Sequence, residues 1–378
     1  MIPFNKIFHT ENELTYITRA LQSDRISGGG PYTEQCEAFF EKRYNFRKAL
    51  LTSSCTHSLE MTALLIGLKP GDEVIMPSYS FVSMANAFLL RGAKAVFADS
   101  EADSPNIDPD GVEALITDKT RAIIVIHYGG IACQVDKLRA IADKHGIYLI
   151  EDAAHCIDAY YKDKPLGSFG QLSAFSFHDT KNVTCGEGGM LVINDEHFAK
   201  RAEIMREKGT NHASFLRNEV SRYDWIDIGS SFLASDISAA FLYAQFLDID
   251  NIQTKRKNIW KKYYDGLTPL AEKGFFSMPH IPEGATHNAH IFYIVCKSMK
   301  ARGEYISYMR ASNIKVQFHY LTLHDSPYYQ SLHEGRKLPN AKYYAECLVR
   351  LPLFVDLTDE EINLIIKNTY DFFIEHDE

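Results

Sequence analysis

Through its first two-thirds the chain alternates short, β-branched apolar runs with segments of helical periodicity, and few folds accommodate that pattern. The runs are Glu73–Pro77 (EVIMP), Ala95–Asp99 (AVFAD), Ala122–His127 (AIIVIH), Ile147–Asp152 (IYLIED), Leu172–Phe177 (LSAFSF) and Met190–Asn194 (MLVIN). Between them, Phe81–Leu90, Gly111–Ile116, Gln134–His145 and Glu196–Lys208 carry apolar residues at three- and four-residue spacing, which predicts helices. Strand, helix, strand in repetition predicts an α/β domain with a mostly parallel sheet covered on both faces. The nearly unbroken apolar character of the runs fits strands covered on both sides.

From about Ala234 the texture changes. Ala234–Leu247 and Ile252–Leu267 predict two long helices, followed by a Pro/Gly-rich stretch at Pro279–Gly284. A strand at His290–Val295, a helix at Arg302–Ala311, a short strand at Lys315–Phe318 and a closing helix after Thr358 complete a smaller α+β unit. The expected organisation is a large α/β domain over 1–250 and a small C-terminal α+β domain over 251–378.

Composition narrows the function classes. Forty Lys and Arg against forty-nine Asp and Glu give a net charge of −9, so a broad basic surface for nucleic acid is not expected. The opening MIPFNKIFHTENELTY has no apolar signal-peptide core, and no stretch approaches the roughly 20 apolar residues of a membrane span. Seven cysteines, Cys36, Cys55, Cys133, Cys156, Cys185, Cys296 and Cys347, are scattered and free of C-x-x-C spacing. They are expected as reduced thiols of a cytoplasmic protein, with no metal site. Asn182-Val183-Thr184 spells a glycosylation sequon, taken here as a chance match.

In open α/β sheets, ligands gather beyond the carboxyl ends of the strands, so chemistry is sought there. One run ends in Glu151-Asp152-Ala153-Ala154-His155, and another in Ser176-Phe177-His178-Asp179-Thr180-Lys181-Asn182, followed by Gly186-Glu187-Gly188-Gly189. Singly, Asp152 reads as a helix-capping acid and Lys181 as a solvated lysine. Together they suit a cofactor: a lysine forms a Schiff base with an aldehyde, and a carboxylate keeps a pyridine nitrogen protonated. Pyridoxal phosphate also needs an anion cradle. Thr52-Ser53-Ser54-Cys55-Thr56 before the apolar run Leu59–Leu68 supplies a helix N-terminus for one, although Ser/Thr capping is the commoner use of such residues. Phe81, after Pro77-Ser78-Tyr79-Ser80, offers a ring for stacking, with core packing as its ordinary role. His127 and His178, at two further strand ends, are expected to pack or support.

These pieces, in this order, resemble the DegT/DnrJ/EryC1/StrS family of pyridoxal-phosphate-dependent sugar aminotransferases, from Ser27-Gly28-Gly29-Gly30 to Leu351-Pro352-Leu353. EDAAH, SFHDTKN with GEGG, and FHYLTLH at Phe318–His324 are the most specific motifs. The phrases TSSCTHSLEM, PSYSFVSMANAFLLRGAK, REKGTN and DIGSS are similar to the branch that aminates dTDP-4-keto-6-deoxy sugars. The resemblance implies an aspartate-aminotransferase-like (type I) fold and a homodimer with shared active sites. It implies Lys181 as the cofactor-binding lysine, Asp152 at the pyridine nitrogen and His155 near the ring's phenolic oxygen. Phe81 falls at the stacking position, and Ser176 with Cys55 and Thr56 at the phosphate. Cys55 stands where most relatives have Gly, and Ser231 where many have an Asn reaching the neighbouring subunit's cofactor. His319, Tyr320 and His324 fall in a segment near the substrate.

The implied activity moves an amino group from L-glutamate to C4 of dTDP-4-keto-6-deoxy-D-glucose, for surface polysaccharide synthesis. The alternatives are amination at C3 of a 3-keto isomer and a non-enzymatic regulator on the same scaffold. A sugar dehydratase on this fold is disfavoured, because such relatives have histidine where this chain has Lys181.

Overall fold

A computed structural model describes residues 1–375. The first unit is a seven-stranded sheet of β1 (Lys48–Thr52), β2 (Glu73–Pro77), β3 (Lys94–Ala98), β4 (Thr120–Ile126), β5 (Tyr148–Asp152), β8 (Leu172–Ser176) and β9 (Gly189–Ile193) in the order β1-β9-β8-β5-β4-β2-β3. A two-stranded ribbon, β6 (Tyr160–Tyr161) with β7 (Lys164–Pro165), intervenes in the chain. Every predicted run became a strand, and β1 is added. Its sequence, KALLT, is built from good helix formers and carries little β signal of its own. Sheet pairing decides its conformation.

Only β9 runs against the others, pairing antiparallel with both β1 and β8. The cause is the connection. No helix crosses over between β8 and β9, and the short loop 177–188 simply returns the chain alongside itself. That loop carries Lys181. The pairings Thr52↔Gly189, Ser176↔Gly189, Asp152↔Ala174 and Ile126↔Asp152 bring five strand ends to one edge of the sheet.

Local chemistry sets the helix limits around that edge. Ser54, in extended backbone, caps the helix Cys55–Leu65 by accepting from the His57 N–H at 3.1 Å. The helix Val135–His145 stops on Gly146 at φ 64°, a conformation glycine adopts without strain. Thr358 and Glu361 exchange side-chain and backbone hydrogen bonds at 3.0 and 3.2 Å, a capping box that opens the helix Asp359–Glu375.

The second unit is a four-stranded antiparallel sheet, β10 (Phe276–Ser277), β11 (Phe292–Cys296), β13 (Leu348–Leu351) and β12 (Gln317–Phe318), in that order. Near the expected boundary at 250, two consecutive helices, Asp236–Leu247 and Ile249–Glu272, meet at Asp248. The extreme N-terminus is built into this second unit: Ile2 donates to the Asn313 carbonyl and accepts from the Lys315 N–H. One buried cluster joins the units, with Tyr79 and Tyr128 from the large sheet's strand ends packed with Ile291, Tyr293 and Tyr344.

Candidate active site

The phosphate-type cradle assembles from three strand ends. At the first turn after β1, Ser54 uses its hydroxyl on His57, and the Ser58 N–H returns to the Ser54 carbonyl. The N–H groups of Cys55 and Thr56 have no acceptor among the described residues, as the first positions of a helix must. Gly189 lies so close that a Cβ there would come within 2.4 Å of the Cys55 nitrogen. Ser176, at the end of β8, is the neighbour of Gly189 in register. Two free N–H donors at the positive end of a helix, with a hydroxyl alongside, suit a phosphate.

Asp152 ends β5 and is 5% exposed. Burial lifts its carboxyl to about 6, against the Ala154 N–H that it accepts at 3.1 Å and the positive charge of Lys181. Lys181 is half-buried, and burial lowers its amine, while Cys55 and Asp152 pull the other way. Among the described residues its Nζ makes no hydrogen bond or ion pair. The next residue is clamped: Asn182 donates to Gln253 Oε1 and the Asn288 carbonyl, each at 2.8 Å, and accepts from His290 Nδ1 at 2.8 Å. The sequon asparagine is therefore an internal fastener of the lysine loop.

His155 is buried, which holds its ring neutral, well below the usual imidazole range. The Gly129 N–H donates to its Nδ1 at 3.2 Å, so its own proton resides on Nε2. Nε2 faces the Tyr320 hydroxyl at 3.4 Å, and the ring lies 4.3 Å from that of His290. His319 exchanges a 2.8 Å hydrogen bond with the Tyr128 hydroxyl, and its carbonyl accepts from Tyr79. Tyr320 sits at φ 58°, a left-handed conformation unusual for an aromatic residue and held here by its neighbours. Its ring lies 3.6 Å from that of His319 and 6.2 Å from that of Phe81. Phe81 is 55% exposed, so its ring is not a core ring.

His324 stands apart from this group. It is buried with Nδ1 2.6 Å from Ser78 Oγ and Nε2 3.3 Å from Asp325, fastening FHYLTLH to the end of β2. Ser231 is exposed; the next residue, Phe232, accepts from the Ser53 N–H at 2.8 Å, tying the Ser230-Ser231 loop beside the cradle. His127 is fully buried: Nε2 meets Glu151 at 2.9 Å and Nδ1 accepts from Cys133, which is the supporting role expected of it. His178 is a surface group near Asp179 and Glu187.

Sequence reading missed Tyr128, His290, Asn182 and Arg350. For Arg350 a signal existed, since a charge interrupts the otherwise apolar strand Leu348–Leu351. The other three are visible only through contacts with residues more than a hundred positions away.

The fold defines the class. A protein of Streptococcus pneumoniae described as a sugar aminotransferase, in its PLP-form, matches with TM-score 0.91 and 26% identity, covering 99% of each chain. An aminotransferase from Psychrobacter cryohalolentis matches with TM-score 0.93 and 25% identity over the whole of both chains. The architecture is that of the pyridoxal-phosphate aminotransferases. In sequence, the spore coat polysaccharide biosynthesis protein SpsC of Bacillus subtilis is 31% identical over 379 residues, 98% of this chain and 96% of that protein. The model of the DegT/DnrJ/EryC1/StrS aminotransferase family matches residues 8–369. The chain belongs to that family.

Proposed function

We propose that this enzyme transfers an amino group from L-glutamate to C4 of dTDP-4-keto-6-deoxy-D-glucose, giving a dTDP-4-amino-4,6-dideoxyhexose for surface polysaccharide. The observation that carries the chemistry is the unpaired amine of Lys181 beside the buried carboxyl of Asp152. Support for a sugar acceptor comes from relatives described as a sugar aminotransferase and a polysaccharide biosynthesis protein. The narrower substrate rests on TSSCTHSLEM, PSYSFVSMANAF, REKGTN and DIGSS.

The residues present fit pyridoxal phosphate. Cys55 and Thr56 N–H groups with the Ser176 hydroxyl would hold its phosphate, and Phe81 would cover one ring face. Bound there, the cofactor supplies an aldehyde that carries the amino group and a protonated ring that takes up an electron pair. Asp152 keeps the ring nitrogen protonated; the cation beside it stabilises its carboxylate and draws the raised carboxyl back down. His155, fixed as an Nε2–H donor, serves the ring oxygen. Lys181, its amine lowered by burial, is deprotonated more readily than a surface lysine and moves the proton between carbon and nitrogen.

The active species is a homodimer, a reading supported by the exposed apolar residues Tyr223, Trp225, Ile226 and Ile228 in the segment leading to Ser231. The free cysteines suit a reducing cytoplasm. Specificity constants for the 4-keto sugar and its 3-keto isomer, at one glutamate concentration and with NMR of the products, test the assignment. Preference for the 3-keto sugar would move the reaction to C3.

A further inference from the structure

What bears on the Lys181 amine is burial and charge, with no hydrogen bond of its own, so the backbone that carries it sets its place. The next residue supplies the anchor. Asn182 is 5% exposed, and its amide nitrogen donates to the Asn288 carbonyl, a group that can only accept. Its Oδ1 is therefore the atom 2.8 Å from His290 Nδ1, and that nitrogen carries the hydrogen of the ring. The third partner, Gln253, belongs to the helix Ile249–Glu272. A loop that leaves the end of β8 is thus held entirely by residues beyond 250.

The turn 288–290, which leads into β11, is itself over-determined. Ala289 stands at φ 51°, the left-handed region that a Cβ disfavours. Arg256, 3% exposed, holds it there: Nε donates to the Ala289 carbonyl at 3.1 Å and an outer nitrogen to the His290 carbonyl at 2.7 Å. Burial lowers that guanidinium to about 9, and no acid bears on it. A buried cation with only carbonyls for partners costs stability, and strained turns persist chiefly where a site needs them.

The same turn grips the loop that carries His155. Asn288 Nδ2 donates to the carbonyls of His155 and Ile157 at 2.6 and 2.7 Å, and its Oδ1 accepts from the His290 N–H at 3.0 Å. The rings of His290 and His155 lie 4.3 Å apart. On the far side, a Cβ at Gly130 would come within 2.1 Å of Asn288 Oδ1, so the turn has no room to shift that way.

We propose that His290 and Asn182 are positioning residues for the transfer: the turn 288–290 fixes Lys181 through them and the His155 loop through Asn288, holding both groups at one separation. The inference rests on the aminotransferase reading above. A misplacement of about 1 Å costs on the order of 100-fold in a proton transfer of this kind, which gives a remote hydrogen bond leverage over turnover. A turn that only glued the two units together would change stability and leave the amine where it is.

The test compares His290→Leu with His290→Asn, whose amide nitrogen stands where Nδ1 stands and keeps the donor to Asn182. The Lys181 N–H, which donates to the His178 carbonyl at 2.9 Å, reports on the loop in the cofactor-free protein. In His290→Leu its hydrogen exchange should quicken at least about tenfold. In the loaded enzyme, kcat should fall about 100-fold with both KM values within about threefold, and the pH midpoint of the cofactor's absorbance change should move. His290→Asn should recover most of each. If the leucine variant does not fold, His290→Gln replaces it, since its amide lies one carbon further out and misses Asn182. Like behaviour of the donor-keeping and donor-lacking variants, or turnover lost with exchange and absorbance midpoint unmoved, overturns the proposal. If wild-type enzyme does not aminate a keto sugar, the functional reading fails, while exchange at the Lys181 N–H still decides whether His290 holds the loop.

Discussion

Gly189 and the nitrogen of Cys55 approach so closely that a single methyl group would stand 2.4 Å from that nitrogen and 2.4 Å from the Ser54 carbonyl carbon. Both are backbone atoms at a helix start, so neither can swing aside. Gly189→Ala should destabilise the protein by about 2–3 kcal/mol. It should also weaken cofactor binding, because the helix end must back away from Ser176. Thermal denaturation and a cofactor titration check both effects; wild-type affinity in the variant would show that the cradle lies elsewhere.

Lys181 is expected to be the attachment point of the cofactor. Borohydride reduction of the holoenzyme followed by peptide mapping should place the pyridoxyl group in the peptide containing Lys181-Asn182, and Lys181→Ala should abolish turnover. A label on a different lysine would contradict this.

Asp152 gives a pH signature. Its carboxyl is lifted from the ordinary 3.8 to about 6 by burial. A raised carboxyl binds protons more tightly folded than unfolded, so the cofactor-free protein loses stability as pH rises from about 4 through 6, by about 3 kcal/mol in all. Asp152→Asn removes that slope. The variant's melting temperature relative to wild type should climb between pH 4 and 7 without cofactor, while holoenzyme turnover falls on the order of 100-fold or more. Parallel pH curves for the two cofactor-free proteins would refute the burial argument.

Much of this site was legible in the sequence because it lies at strand ends. EDAAH and SFHDTKN announce themselves once β5 and β8 are found, and both strands have apolar, β-branched or aromatic cores. His319 and Tyr320 were reachable through the FHYLTLH motif, but not their geometry: Tyr79 and Tyr128, just beyond the ends of β2 and β4, hold His319 by hydrogen bonds and pack their rings on the left-handed Tyr320. His324 illustrates the converse. As a polar residue in a suggestive motif it resembles a substrate contact, whereas its ring nitrogens face Ser78 and Asp325. Local pattern identifies residue types near a site; only packing says which of them are already engaged.

The tautomer of His155 leads to a further prediction. With Nδ1 accepting from Gly129, the ring can offer only Nε2–H. His155→Gln preserves a donor and should keep activity within about tenfold, whereas His155→Leu should lose about 100-fold. The bound cofactor's absorbance maximum should shift in the leucine variant alone. Equal behaviour of the two variants would remove the donor role.

Trp225 is 81% exposed in the single chain, in a segment that ends at Ser231. If a second copy covers it, sedimentation of wild type should give a dimer and Trp225→Asp should shift the population toward monomer with lost activity. A fully active wild-type monomer would count against shared sites.

The first five residues act as a strut. Ile2 is stitched to Asn313 and Lys315 in the small unit, Phe4 carries the Arg350 guanidinium, and Asn5 holds the carbonyl of Asp179 in the lysine loop of the large unit. Removing residues 1–5 would therefore cut one tie between the two units and release the lysine loop at the Asp179 carbonyl.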